Sequence, residues 1–448
     1  MRSVRKKSLM EFDISFTNKE ITPWGGMIFL KQMLQKIGFR ELIENNPDLP
    51  VSGSNRGYKT STIIESFITS IWCGANRFLH TEVTRHDTTL GKIFDWKHTP
   101  GQDTYKRFFS KFDIGTNQRV FTSLFSWFFE NLSFDTFTLD IDSSVMTRYG
   151  EQEGVKKGYN PQKRGRASHH PLIAFIADVK LVANMWLRSG DTSSANNFLS
   201  FLEDTLFKLK SKTIGLIRLD SGFFQSNILD YLEKKVMNYI VAVKFTHPIQ
   251  RVIQQCNNWI VLDTGIEICE QMYQSDSWEN PRRIVIVRQK IKDRPKATGK
   301  QLSLFAEEEI YRNYRYSAYV SNMKLPAAEI WRLYRGRGDA ENRIKELKYD
   351  FGFDSFNLKS FYATEAALSF AMIAYNLMSL FRMFVLQEKT QKTLSTLRYR
   401  SFAIGAYFIK INGKLTLKIA LTKKRREWFS GLWNYSKEFD LPFQLSNA

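Results

Sequence analysis

The 448-residue chain has only three cysteines, Cys73, Cys256 and Cys269. They are far apart and odd in number, which argues against a disulfide framework or a zinc site and suits a reducing cytoplasm. A secretory leader is not expected: "MRSVRKK" is basic, but "SLMEFDISF" after it is too short and too acidic for an apolar leader core. Long hydrophobic runs are lacking as well. The most apolar stretch, "ALSFAMIAYNLMSLF" at 367–381, contains Asn376 and is bounded by Glu365 and Arg382, so it reads as a buried helix of a soluble protein. There is no internal repeat. Negative charge is scarce, with 45 acids against 65 Lys and Arg and a net charge of +20. The excess is dispersed, apart from "RSVRKK" at the start and "KKRR" at 423–426. A dispersed excess of this size favours a polyanionic partner, nucleic acid before membrane.

What is present divides into five segments. Residues 1–130 read as helical, with amphipathic runs such as "STIIESFITSIWCGANRFL" and a turn followed by a basic-aromatic helix start in "TPGQDTYKRFFSKF". From 131 to 245 the pattern is three strands, helix, strand, helix, strand, an α/β layout with a mixed sheet. Residues 246–325 are mostly strand-like, with "NWIVLDTGIEICEQMY", "RRIVIVRQKI" and "NYRYSAYVS" around an exposed polar loop at 292–309. Helices return over 326–390. The basic segment 391–448 holds a hairpin, "AYFIKINGKLTLKIAL", with an Asn-Gly turn.

Two aspartates close hydrophobic strands and enter small-residue turns. Asp142 ends "TLDID" before "SS", and Asp220 ends "IGLIRLD" before "SG". Unpaired acids are costly to bury, so such positions belong at a sheet edge, where they serve a ligand or cap a turn. Asp140 points the same way as Asp142, two residues on in a strand. Further along lies "YRGRGDAENRIKELK", residues 334–348. At ~100° per residue, Tyr334, Arg337, Lys345 and Lys348 fall within about 40° of Glu341. A stripe of this kind is ordinarily a solvated helix face. Gly336 and Gly338 argue otherwise, because each costs roughly 1 kcal/mol inside a helix and so suggests close backbone approach. Alternatively the helix begins near Asp339, and only Glu341, Lys345 and Lys348 share the stripe. Carboxylates in a basic, nucleic-acid-directed protein have a clear use: they hold divalent ions against phosphates.

Tyr334, Arg337, Glu341 and Lys348 match the Tyr-(2)-Arg-(3)-Glu-(6)-Lys signature of bacterial insertion-sequence transposases with a DDE catalytic triad. "LDIDSS", "YGEQEGVKKGYNPQ…HHPLIAF", "LRSGDTSSANN" and "RLDSGF" resemble more narrowly insertion-sequence family 1380. The resemblance runs in order over residues 135–380, with looser similarity in the N-terminal helices. It implies a ribonuclease H-like core, interrupted by the β-rich segment, whose triad is Asp142, Asp220 and Glu341. It implies two Mg²⁺ ions, with Mn²⁺ as a substitute. The family's Asp-x-Ser/Thr pattern favours Asp142 as first acid, with Asp140 an additional or substitute ligand. Tyr334, Arg337, Lys345 and Lys348 would then meet DNA phosphates.

The implied activity is binding of terminal inverted repeats, cleavage at the element's ends and joining of the 3′-hydroxyls to target DNA. Segments 1–130 and 391–448 would recognise the ends, and two ends held together require a homodimer in a bacterial, nucleoid-associated protein. A structure-specific nuclease on the same fold and a transposase-derived DNA-binding protein with a dead site are the rival readings. Outside the signature, Trp278 is a candidate for stacking on an unpaired base, against the commoner interior role. His169 and His170 are candidates for phosphate contact or for structural roles. Gln301, Leu302, Ser303, Leu304 and Phe305 form "QLSLF", which looks like the peptide by which replication and repair proteins dock on the DNA polymerase sliding clamp.

Overall fold

The computed structural model of the protein describes residues 13–53, 56–134, 136–161, 163–291, 313–387, 391–441 and 443–444. The alternating stretch at 136–143 forms β1 (Thr136–Ser143), with Phe137, Leu139 and Ile141 in the core. Its polar face is covered too: Asp140 is fully buried and Asp142 nearly so. β2 (Leu172–Ile176) pairs antiparallel with β1, and β3 (Leu181–Trp186) antiparallel with β2. On the other side of β1, β4 (Thr213–Leu219) is parallel to it, and β5 (Tyr239–Ala242) is parallel to β4. Helix Phe198–Leu209 leads into β4, and helix Ser226–Lys234 supplies the crossover that joins the parallel pair β4 and β5. The expected mixed α/β sheet is therefore what forms.

The β-rich segment extends this same sheet rather than building a second layer. It opens with a helix, His247–Gln254, started by Pro248 in its first turn. "NWIVLDTGIEICEQMY", read from sequence as one strand-like run, is split into a hairpin, β6 (Ile260–Asp263) and β7 (Ile266–Tyr273). Gly265, at φ +73°, makes the turn possible. β8 (Arg282–Lys290) and β9 (Tyr314–Ser321) follow, and β9 docks antiparallel on β5 through Tyr319 opposite Ala242. The nine strands lie in the order β6-β7-β8-β9-β5-β4-β1-β2-β3.

Helices α1 (Met27–Lys36), α2 (Thr60–Trp72), α3 (Gln102–Phe109) and α4 (Ile114–Glu130) precede the sheet. Their apolar faces join one continuous core with the sheet and with a later helix of Phe361–Leu380. That helix, followed to Leu386, is long and apolar enough to cross a membrane, yet 89% of its apolar window is buried inside the fold. Its single amide, Asn376, explains itself: the carboxamide accepts from Val182 N and donates to Val182 O, each at 2.8 Å, sealing the free edge of β3. The Asn-Gly hairpin forms as expected, Ala406–Ile411 against Lys414–Ile419, with Asn412 and Gly413 both left-handed. Helix Lys423–Glu438 then packs back on α1, Phe429 lying 4.5 Å from Phe29. The three cysteines are free and buried.

Candidate active site

The parallel pairing of Ile141 with Leu219 brings the next residues of each strand, Asp142 and Asp220, to one edge of the sheet. This is the carboxyl end of adjacent parallel strands, where α/β sheets bind ligands. Asp142 is 8% exposed. Burial, first, pushes its carboxyl up to about 6; Arg337 works against this, while Asp220 and Glu341 add their repulsion. One Asp142 oxygen accepts from Ser143 N at 2.8 Å. Asp220 accepts from Gly222 N at 2.8 Å, capping the single turn Ser221–Phe223. Asp142 and Asp220 thus stand at neighbouring strand ends, and both Asp220 and Glu341 act electrostatically on the Asp142 carboxyl.

The stripe at 334–348 is carried by two helices, not one. A helix of Ala327–Arg335 ends before Gly336, and the next, Gly338–Asp350, begins with Arg337 at its N-cap. Tight bonds from Arg337 N to Tyr334 O (2.9 Å) and Ala340 N to Arg337 O (2.9 Å) turn the chain between them. The glycine at 336 has a physical cause: a Cβ there would stand 2.5 Å from Arg218 Nη1. At Gly338 a Cβ would meet open space.

The bend turns much of the stripe inward. The Tyr334 hydroxyl donates to Leu219 O at 3.2 Å, and its ring lies 4.4 Å from that of Tyr319. Arg337 is buried, with Nη2 3.1 Å from Asp142 Oδ2. Burial works against the charge of this guanidinium, but Asp142, Tyr334, Asp220 and Asp140 outweigh it and raise its pKa. Lys348 donates to Val145 O at 3.1 Å, and burial lowers its pKa while Asp354 and Asp142 oppose the shift. Glu341 and Lys345 are exposed.

Sequence reasoning missed Arg218. Its Nε donates to Asp140 Oδ1 at 2.6 Å and its Nη2 to Oδ2 at 2.8 Å, a buried fork directly across the β1–β4 register. The third nitrogen donates to Leu333 O at 2.6 Å. Arg218 therefore ties both acid-bearing strands to the helix end that leads to Arg337. Asp140, with both oxygens on Arg218, is turned away from the role of free ligand. The signal was present: Arg218 precedes Asp220 by two residues, as Asp140 precedes Asp142.

The remaining candidates are placed elsewhere. Trp278 is 7% exposed, edge-on to Tyr273 and Phe224, with the Arg282 guanidinium 4.8 Å over its ring. It is an interior side chain and does not present a face to a base. His169 Nε2 lies 2.9 Å from Glu153 O, and Arg148 donates to its Nδ1 at 3.2 Å; burial depresses its pKa to about 4. His170 Nδ1 lies 2.7 Å from Thr192 O. Both are structural. Gln301 to Phe305 lie outside the described residues.

Among the described residues, no three acids, histidines or cysteines converge tightly enough to form a finished metal cage. The donor set nevertheless fits a hard divalent ion. Asp142, Asp220 and Glu341 supply oxygens alone, the donor type a hard cation takes, and Asp142 and Asp220 come from adjacent strand ends. Those three residues would hold such an ion.

The family described as "Transposase DDE domain group 1" matches residues 4–435. Among solved structures, the chain is similar to a piggyBac transposase synaptic complex with hairpin DNA, at 11% identity and a TM-score of 0.47, over 84% of this chain and 78% of that one. No curated protein matches the chain.

Proposed function

The chain belongs to the group 1 family of DDE-domain transposases, and on that premise we propose that it cuts and joins DNA at the ends of an insertion sequence of the family 1380 kind. It binds the terminal inverted repeats, cleaves at their ends and transfers the freed 3′-hydroxyls to target DNA. The sheet β3-β2-β1-β4-β5 is then a ribonuclease H-like core, and Asp142, Asp220 and Glu341 are its triad. The observation that carries this reading is the parallel pairing of Ile141 with Leu219, which sets Asp142 and Asp220 side by side at the carboxyl ends of adjacent strands.

Both chemical steps are exchanges at phosphorus. In the first, a water oxygen bonds to phosphorus and the P–O3′ bond breaks, leaving a 3′-hydroxyl. In the second, that hydroxyl bonds to a target phosphorus and a target P–O3′ bond breaks. Each attacking oxygen loses its proton to solvent, and each leaving oxygen gains one. Asp142, Asp220 and Glu341 would hold a divalent ion, Mg²⁺ or Mn²⁺, which would activate the attacking oxygen and stabilise the leaving one. The residues of this chain prepare the place. Asp142 and Asp220 are set by neighbouring strand ends, and the Tyr334 hydroxyl braces Leu219 O beside Asp220. Arg337, buried against Asp142, balances the charge of the acids.

The test is incubation of purified protein with its own element's ends and Mg²⁺, followed by mapping of the cut and joined strands. Cutting without joining of a pre-cut end would instead support a nuclease on the same fold. The reading includes a dimer, since two ends are held together, and docking of Gln301–Phe305 on the polymerase sliding clamp, proposed from sequence alone.

A further inference from the structure

Next to the carboxylates the surface falls into a cleft of about 670 Å³, between α3, the segment after β1 and the end of helix Gly338–Asp350. Its lining is strongly one-signed. Arg77, Lys106, Arg148, Lys163 and Lys348 face a single acid, Asp354. Arg148 is internal, bonded to His169 and to Asp354 O, while Lys106 lies 3.5 Å from Asp103 and donates to Gln102 Oε1 at 3.1 Å, contacts for which a phosphate would compete. Lys348 links the cleft to the acids, because it rests on Val145 O three residues past Asp142.

Two tyrosines project into the same space. Tyr149 is 69% exposed and Tyr349 78%. Tyr149 is held in place: Lys163 Nζ lies 4.9 Å and the Arg166 guanidinium 5.8 Å from its ring centroid, and Lys163 also bonds its hydroxyl. Deeper in, Gln152 Oε1 and Asn357 Oδ1 are acceptors with no hydrogen-bond partner.

Cations spaced along a groove with exposed aromatic faces among them are the recognition chemistry of an unpaired nucleic-acid strand, since phosphates meet the charges and bases stack on the rings. A duplex offers the phosphates but hides its base faces. We propose that this cleft takes a single strand of DNA where it runs up to the carboxylates, with Tyr149 stacking on a base and Lys106, Lys163 and Lys348 on its phosphates. The assignment rests on the DNA-processing reading above and moves base stacking from Trp278 to Tyr149. The unpaired Gln152 Oε1 and Asn357 Oδ1 would accept hydrogen bonds from a base edge.

The experiment is fluorescence anisotropy of the full chain with a labelled oligothymidine of about 15 nucleotides, near the upper site size of such grooves, and with a blunt duplex of equal length. Tyr149 is at the surface, so its variants fold. Tyr149→Ala should weaken single-strand binding about ten-fold, the loss of one stacked base, and leave duplex binding unchanged. Tyr149→Phe, which keeps the ring, should restore it. Lys106→Ala and Lys163→Ala should each flatten the single-strand salt slope by about 0.7. Equal single-strand affinity for wild type and Tyr149→Ala overturns the proposal. So does an equal loss on strand and duplex, which would make the cleft a general polyanion surface. A wild type that binds neither DNA overturns the transposition reading together with it.

Discussion

Arg337 Nη2 stands 3.1 Å from Asp142 Oδ2 with both side chains almost wholly buried, yet neither Nη2 nor Nε of that arginine has a hydrogen-bond partner. The guanidinium is held by charge more than by directed bonds. Removing one member of a buried pair leaves the other uncompensated, which costs about 3–5 kcal/mol. Arg337→Ala should show that loss in urea unfolding at pH 7.5. At pH 5 the loss should be smaller, because Asp142 can then take up a proton. Equal losses at both pH values would mean that Arg337 does not act through Asp142.

Asp142 also sets a pH dependence of its own. Its carboxyl is raised from 3.8 to about 6. Folding therefore favours the protonated form; the stabilisation is complete below the unfolded value and is lost as pH rises through 6. Between pH 4 and 7, metal-free wild type should lose on the order of 2–3 kcal/mol relative to the pH-independent Asp142→Asn. Added Mn²⁺ should reverse the trend, since it binds the ionised carboxylate, and electron paramagnetic resonance should show its affinity falling below pH 6. A flat stability profile in wild type would refute the assignment of the shift.

The neighbouring acids should separate by phenotype. Asp142→Ala, Asp220→Ala and Glu341→Ala are each expected to abolish cleavage while retaining binding to transposon ends. Asp140→Ala should instead unfold more readily, by about 3–5 kcal/mol, because it strands Arg218. The apolar pair Asp140→Leu with Arg218→Met should recover part of that loss. Near wild-type cleavage by Asp142→Ala, with none by a folded Asp140→Asn, would transfer the ligand role to Asp140.

Lys348→Ala and Lys345→Ala test whether the last turns of the signature helix meet DNA. Each should lower the salt slope of duplex end binding by roughly one, the value of one phosphate contact. Lys348 should have the larger effect on affinity, being held half-buried beside Val145. Unchanged slopes in both would leave the stripe a solvated face.

Docking on the sliding clamp is proposed from Gln301–Phe305, and calorimetry of purified clamp with the full chain decides it. Binding heat for wild type that vanishes in Leu304→Ala/Phe305→Ala is the expected result. No heat for wild type ends the proposal.

The local patterns of the chain were decisive wherever the cause is local. Period-two alternation marked β1, left-handed Asn412 and Gly413 follow from an Asn-Gly dipeptide, and apolar content marked 367–381 as interior. The two acids at strand ends were legible for the same reason. Other features depend on what lies across the fold. Asp140 and Asp142 share one face of one strand, and only the β1–β4 register, which sets Arg218 opposite Asp140, distinguishes them. Helical period allows either a continuous stripe at 334–348 or a helix beginning near Asp339, and the helix of Gly338–Asp350 is the second of these. Arg218, more than a hundred residues earlier, crowds Gly336 at the bend that turns Arg337 onto Asp142. Trp278 went to the interior because Phe224, Tyr273 and Arg282 surround it. Periodicity records which face a residue occupies; the partner waiting on that face is chosen by strand pairing and packing between distant parts of the chain.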